Sequence, residues 1–544
     1  MSETIPRPYS EDQGVCTLLP FVQRGEAKAE PTTQSKVNTT KATVPPRPNL
    51  VKEDNTIIKF AVVVFTLLAY SLLHTCYNIY YEDDSWTMSN AWNFINLGVD
   101  NDLLFLDQDG AFTGQLFGKI YFFISGSFLN LVGWTKGNVY LFNSALIFLS
   151  AFFWYHILKT LNFKSQVVEL LPLMMPIFPP CFFAAHTGRT DAFALTMMSL
   201  GFLLFVRKYY VMAGLIAILA IETHIMGLVG LFYFLAYFIY LQDFKKLEDV
   251  NIKSCFQNSS TLIYRTTAGM ALGILTYALL HHQVFSLSEL QTIIQTKSDM
   301  VSPVNNYILA YFTDFDWYYH LPEFGLLAFS TYLYISNKFY RDNKLVFLLL
   351  VILLASTFLT RRENRTYFIY LVPAILIMYF YTYDRLDKIK PFIVASLMIF
   401  MGYYASLYHH HKDFKFNDFV SFVNANTSEK DLPIVGMPDV WFAALDREYY
   451  PIHNERDFNK INLSDFYLVE TDYLSRRSRR YNDVKDNIHQ NYDCEVIEEW
   501  TTYQNNKATV CHCKNDGIPN EKIEYKPYPG WQKMMQKFMP ASIM

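Results

Sequence analysis

Long apolar runs recur along the chain from Ile57 to about Leu407 and then stop. A helix rises about 1.5 Å per residue, so about 20 apolar residues cross the hydrocarbon core of a bilayer. The first run, Ile57 to Ile79, is interrupted only near its ends. Others lie at about 139–158, 166–184, 191–206, 211–222, 225–241, 262–280, 318–336, 345–360, 366–382 and 391–407. The pattern predicts an all-α polytopic membrane protein of about eleven transmembrane helices. The stretch from 211 to 241 counts as two short crossings, broken near Glu222-Thr223-His224. Interrupted spans with charge at the break belong where backbone lines a cavity rather than lipid.

With the N-terminus inside, the inner loops gather the basic residues: Lys159, Lys164, Arg207, Lys208, Lys245, Lys246, Lys253, Lys338, Arg341, Lys344, Arg385, Lys388 and Lys390. That is the bias the positive-inside rule demands, and a single crossing between 211 and 241 would reverse everything downstream. Residues 1–55 are polar, lack the apolar core of a signal peptide, and read as a disordered cytoplasmic leader. The transmembrane domain then occupies 56–410, with a first outer loop at 80–138. In that loop 86–97 is amphipathic, and 116–134, which carries Lys119, is expected to lie on or dip into the interface. Residues 411–544 are a different material. Pro433–Gly436, Phe466–Glu470, Cys494–Ile497 and Ala508–Val510 read as short strands of a small α/β soluble domain, placed by parity on the extracytoplasmic or lumenal side.

Composition agrees. Of 544 residues, 51% are hydrophobic and 18% charged, against about a quarter charged in soluble proteins. The 46 Phe and 39 Tyr suit side chains facing lipid and its interfaces. The net charge of −4 carries little weight because charge is segregated by loop, and no nucleic-acid partner is expected. Of the seven cysteines, Cys494, Cys511 and Cys513 fall in the tail, where one disulfide can form. Cys511-His512-Cys513 lacks zinc-knuckle spacing. Asn426-Thr427-Ser428 and Asn462-Leu463-Ser464 match the glycosylation sequon, which matters only in a eukaryotic cell. The membrane is a bacterial inner membrane or the endoplasmic reticulum.

Four polar groupings end up on the outer side. They are Asp83 and Asp84, then His186 to Asp191 with Arg189, then Glu222 and His224, then Arg361, Arg362 and Arg365. Ionisable residues at membrane depth are costly and default to function. Three carboxylates in a row, Glu82 to Asp84, do nothing for insertion, although a solvated loop ending a helix would also hold them. The arginine cluster runs against the trend of the other loops. Spacings of three and four residues put its members on one side of a helical turn, and arginine forks match phosphate oxygens. An internal salt-bridge network with Glu363, Asp84 or Asp191 is the other reading. Glu222 with His224 leaves a divalent metal site open, and no cofactor is firmly implied.

Tyr81-Glu82-Asp83-Asp84-Ser85-Trp86, followed by Ala91 and Gly98, resembles the acidic motif in the first outer loop of GT-C glycosyltransferases. The branch it resembles is that of protein O-mannosyltransferases and bacterial aminoarabinose- and Rgt-type transferases. His186 to Ala192 is similar to that branch's Arg-Pro-Asp-Ala stretch. Ala213-Gly214-Leu215 leading to Glu222-Thr223-His224 and Gly227 looks like its short-helix segment. Arg365-Thr366-Tyr367 through Tyr370-Leu371-Val372-Pro373 resembles its late Arg-Tyr-Leu-x-Pro helix. The likeness covers about 57–410. It departs at Asp83-Asp84, where Asp-Glu is usual, at Thr190, where Pro is usual, and at His224, where many relatives have Lys.

The resemblance implies a polyprenyl-phosphate sugar donor, used on the outer or lumenal face with inversion, and a lipid, glycan or protein acceptor. Membrane lipids surround the pocket. A phosphate leaves as a stable anion and needs no general acid, only positive groups. One carboxylate takes the proton from the acceptor hydroxyl or amine as an oxocarbenium-like transition state forms. Asp83 is expected as base, Asp84 and Asp191 as acceptor-positioning or supporting carboxylates, and Arg189, Glu222, His224, Arg361, Arg362 and Arg365 as the substrate-binding set. Two other classes stay open. A lipid-linked sugar flippase or transporter shares the polytopic body, but its usual matching halves are absent here. A non-catalytic subunit of a glycosylation complex is expected to lose the acidic pair, which is present.

Overall fold

The computed structural model describes residues 56–74, 82–97, 117–241, 260–281, 321–341, 343–349, 351, 365–412, 415–429, 431–445, 447–452, 463–471, 479–501 and 507–515. Three of its helices, Thr56–His74, Lys136–Thr160 and Ile389–His411, are long and apolar enough to cross a membrane. The expected span at 166–184 is a pair of shorter helices bent by 48°. Pro172, Pro176, Pro179 and Pro180 lie in or beside that bend, and each lacks the N–H that would carry the helix through.

The expected spans at 191–206, 211–222 and 225–241 are apolar helices of 16, 14 and 13 residues: Asp191–Val206, Tyr210–Thr223 and Val229–Leu241. At about 1.5 Å per residue these reach roughly 20–24 Å, short of a hydrocarbon core of about 30 Å. Among the described residues the count of full-length spans is therefore three, or four with the bent pair, against about eleven expected. The expected break is present. Tyr210–Thr223 ends at an extended His224, and a 3-10 turn, Ile225–Leu228, leads into Val229–Leu241. Expectations on residues 1–55 and on most of 345–360 lie outside the described residues.

Exposure follows the sequence pattern. Ile57, Phe60, Leu67 and Leu68 of Thr56–His74 are exposed, whereas Val62, Ala69 and Leu73 pack inward. Lys136–Thr160 is capped by Thr135, whose side chain accepts the Asn138 N–H. Its inward stripe, Asn143, Ile147, Ser150 and Trp154, meets Asp191–Val206, where Ser199 lies 2.8 Å from the Ser150 hydroxyl and takes the Trp154 indole N–H at 3.0 Å. Tyr210–Thr223 and Ser260–Leu280 touch backbone to backbone. A methyl at Gly214 would fall 2.2 Å from the Thr266 carbonyl oxygen, and one at Gly269 1.9 Å from that of Val211. Only glycine permits such an approach. The 116–134 segment contains the helix Lys119–Val132, with Tyr121, Phe122 and Leu129 buried and Phe123 and Leu131 exposed.

The C-terminal part is a mixed sheet. Strands β1 (Ile434–Gly436), β2 (Tyr449–Pro451), β3 (Asp465–Thr471), β4 (Asp493–Thr501) and β5 (Lys507–Lys514) run in the order β2-β1-β3-β5-β4. β1 is parallel to β2 and β3, and β5 is antiparallel to β3 and β4. Cys494 and Cys513 stand opposite each other on β4 and β5 and form a disulfide, which leaves Cys511 free and buried. The 3-10 turn Pro438–Ala443, just after β1, packs on the helix Glu82–Trp92.

Candidate functional site

Helix Glu82–Trp92 brings Asp84 to the start of Lys136–Thr160. Asp84 is fully buried. Its Oδ2 accepts from the Tyr140 hydroxyl at 3.0 Å and lies 3.5 Å from Lys136 Nζ, and its Oδ1 accepts the Gly188 N–H at 2.5 Å. The Gly188 peptide sits so close that a Cβ there would fall 2.9 Å from Asp84 Cα. Lys136 Nζ is also 3.5 Å from Asp439 Oδ1 and 4.4 Å above the Phe416 ring, and its side chain has no exposed surface. The Ser85 hydroxyl donates to Asp439 Oδ1 at 3.3 Å.

Burial pushes the Asp84 carboxyl up to about 6, against the opposing pull of Lys136 and the Gly188 N–H. Burial likewise raises Asp439. A carboxyl that holds its proton more tightly folded than unfolded stabilises the chain most below its unfolded value near 4, and that contribution is lost as pH rises through about 6. The melting temperature in detergent should therefore fall more steeply from pH 4 to pH 7 for the wild type than for Asp84→Asn. Parallel profiles would count against a buried, titrating Asp84.

The turn from His186 to Asp191 is cradled from the other side. Asn143 Nδ2 donates to the Thr187 carbonyl and to that of Arg189, and the Tyr121 hydroxyl lies 3.2 Å from Asn143 Oδ1 and 3.3 Å from the Gly188 carbonyl. His186 stacks on Phe182 with ring centres 4.1 Å apart. Asp191 opens the helix Asp191–Val206, where a carboxylate complements the dipole. Arg189 Nε donates to its Oδ2 at 2.7 Å, and the Tyr370 hydroxyl to its Oδ1 at 3.0 Å. His224 Nε2 stands 3.9 Å from the same Oδ1. Because His224 Nδ1 accepts the Met226 N–H, a neutral ring carries its hydrogen on Nε2, facing Asp191. The Asp191 side chain is 1% exposed against 12% for Arg189 and 16% for His224, so the two nitrogen groups form the outward edge.

Glu222 goes elsewhere. Its Oε1 accepts the Lys119 N–H at 2.8 Å and lies 3.1 Å from His281 Nε2, while its carbonyl accepts the Gly118 N–H at 2.7 Å. The metal pair considered for Glu222 and His224 is thus split between two clusters. Among the described residues no group of three or more His, Cys, Asp or Glu is placed to hold an ion.

The structure brings Asp84, Arg189, Asp191 and His224 to one end of the bundle, with Glu222 beside them at the end of its helix. Asp83 lies on the Glu82–Trp92 helix, but its side chain is outside the described residues, as are Arg361 and Arg362. Arg365 begins the 3-10 helix Arg365–Leu371, and its side chain too is outside the described residues; Tyr370 of that helix reaches Asp191. The sequence reading did not single out Lys136, Tyr140, Asn143, His281 and Asp439. Lys136 left a signal, as a lysine at the expected outer end of a span, against the charge bias. Asp439 left none.

No protein family and no curated protein matches the chain by sequence. Solved structures do. ArnT from Cupriavidus metallidurans in the apo state superposes with a TM-score of 0.56 at 11% identity, over 84% of this chain and 97% of that one. The same protein bound to undecaprenyl phosphate gives 0.55 at 12%, over 87% and 99%. This is the GT-C fold. An oligosaccharyltransferase from Archaeoglobus fulgidus, tethered to an acceptor peptide, aligns more loosely, with a TM-score of 0.48 at 12% identity over 82% of this chain and 75% of that one. Asp84, Arg189, Asp191, His224 and Tyr370 lie in stretches that carry the sequence resemblance, whereas Lys136, Tyr140, Asn143 and Asp439 do not.

Proposed function

We propose that this chain is a membrane glycosyltransferase that moves a sugar from a polyprenyl-phosphate-linked donor to an acceptor hydroxyl or amine. The reading places the reaction on the extracytoplasmic or lumenal face, with inversion at the anomeric carbon. The observation that carries it is the meeting of Asp84 and Asp191, through the His186–Asp191 turn, at one end of a GT-C bundle with Arg189 and His224 on the outward edge. That ArnT binds undecaprenyl phosphate supports a lipid phosphate as the donor's leaving group. The Cys494–Cys513 disulfide supports an oxidising compartment for the sheet.

In this reading Asp83 is the base. Asp84, buried and engaged by Lys136, Tyr140 and Gly188, supports the loop geometry rather than meeting the acceptor. Asp191 orients Arg189 and His224, and these two with Arg361, Arg362 and Arg365 face the phosphate. Glu222, tied to His281 and the Lys119 N–H, belongs to the pocket wall, since a carboxylate repels a phosphate. The domain division is 1–55 leader, 56–410 transmembrane domain and 411–544 soluble domain.

The test is transfer by the purified, reconstituted protein from polyprenyl-phosphate sugars of several kinds, with donor binding measured separately. Replacing Arg361, Arg362 or Arg365 by Ala should weaken donor binding by about tenfold or more at the critical position and leave acceptor affinity nearly unchanged, since each removes a charge-assisted contact. If all three Ala variants keep wild-type donor affinity, the cluster is structural.

A further inference from the structure

Lys136 is shut between two carboxylates that come from opposite ends of the chain. Asp84 and Ser85 follow Asp83 on the helix Glu82–Trp92. Asp439 stands in the turn that leaves β1 of the C-terminal sheet. Lys136 Nζ is 3.5 Å from each carboxylate, and the Ser85 hydroxyl reaches across to Asp439 Oδ1. Asp439 Oδ2 is buried and has no hydrogen-bond partner among the described residues. Around this core Trp441 of the same turn meets Trp134 edge to face, with ring centres 6.3 Å apart, and Phe416 covers the Lys136 ammonium.

Two carboxylates and one ammonium, all without solvent, leave an excess negative charge that is costly to bury. The arrangement is relieved when one carboxyl keeps a proton, which fits the upward push on both Asp84 and Asp439. The group therefore needs shape and hydrogen bonds from Asp439 more than its charge. An exposed surface pair would do none of this, because solvent would screen it.

We infer that Asp439 is a positioning residue of the transfer site, through which the C-terminal sheet holds the helix Glu82–Trp92 and with it Asp83. The sheet is on this account part of the active unit and not an appended module. Asp439 itself touches neither donor nor acceptor. It acts on Lys136 and Ser85, which fix the turn of helix that carries Asp83. The activity side of the inference rests on the glycosyltransferase reading above; the mechanical side does not.

The experiment uses the full-length protein in detergent or nanodiscs, as wild type, Asp439→Ala, Asp439→Asn and Ser85→Ala, with amide hydrogen exchange and transfer kinetics on each. Asp439→Ala should speed exchange over 82–92 by about tenfold or more, with little change in the sheet strands. It should lower kcat by about tenfold to a hundredfold at nearly constant donor KM, as misplacement of a reacting group does. Asp439→Asn keeps the oxygen that Ser85 and Lys136 use and imitates the protonated acid, so it should stay within about threefold of wild type on both measures. Ser85→Ala should move both in the direction of Asp439→Ala by a smaller factor, and it serves where Asp439→Ala does not fold. Wild-type exchange over 82–92 in Asp439→Ala, or in Ser85→Ala where that is the folded variant, overturns the inference, as does loosening confined to the sheet. If the wild type transfers no sugar, the transferase reading falls, and the exchange profile decides the positioning role alone.

Discussion

Asp83→Asn should lower sugar transfer by about 10²–10⁴-fold while fold and donor binding survive. The base must be ionised, within hydrogen-bond reach of the acceptor, and close to the sugar carbon under attack. Asparagine keeps the size and much of the hydrogen bonding of aspartate but takes no proton. The rate loss corresponds to about 3–5 kcal/mol of barrier. Asp84 is a poor rival for the role, because Lys136, Tyr140 and the Gly188 N–H already occupy its oxygens. Adjacent residues on a helical turn also face different ways. Asp84→Asn should therefore act more on stability than on the chemical step. Both variants can be assayed with a polyprenyl-phosphate sugar and its acceptor under single-turnover conditions. Wild-type rates from Asp83→Asn would remove it as the base, and a dead Asp84→Asn alongside would transfer the role to its neighbour.

Lys136→Met should destabilise the protein by about 3–5 kcal/mol, the cost of leaving buried charge without its counter-ion. Methionine fills most of the lysine volume, so the effect isolates the ammonium rather than a cavity. Without it Asp84 and Asp439 face each other in a closed space. Lys136→Arg should recover part of the loss, and Lys136→Met combined with Asp439→Asn should melt above the single variant, because only one ionisable carboxyl is then left in the closed space. Thermal unfolding in detergent reads all three. Additive effects of the two substitutions would mean that Lys136 and Asp439 do not interact, since contacting residues couple.

The apolar pattern placed several elements within a few residues. The runs at 191–206, 211–222 and 262–280 correspond to Asp191–Val206, Tyr210–Thr223 and Ser260–Leu280. Apolar length reports helix position well, but it does not report whether a helix reaches through the bilayer. That depends on where prolines and polar breaks stop it, as in the bent pair around Pro176. In the sheet, four strands announced themselves through β-branched and aromatic runs. β2 did not, because Tyr449-Tyr450-Pro451 becomes a strand only by lying beside Ile434–Gly436. Asp84 and Asp191 were legible because a carboxylate at membrane depth has few other reasons to be there. Asp439 was invisible because its partner Ser85 is 354 residues away, and one aspartate in a soluble domain looks like any other.

The seam between Tyr210–Thr223 and Ser260–Leu280 has a dynamic consequence. With carbonyl oxygens where side chains would otherwise stand, at Gly214 and Gly269, the two helices mesh without a cushion of rotatable groups. Their ends are also joined, because Glu222 closes one helix and bonds His281, which follows the other. Two rods keyed along their length and pinned at the tip behave as one lever. A displacement of one helix must therefore carry the other, and His224, two residues past the pin, moves with the pair relative to Asp191.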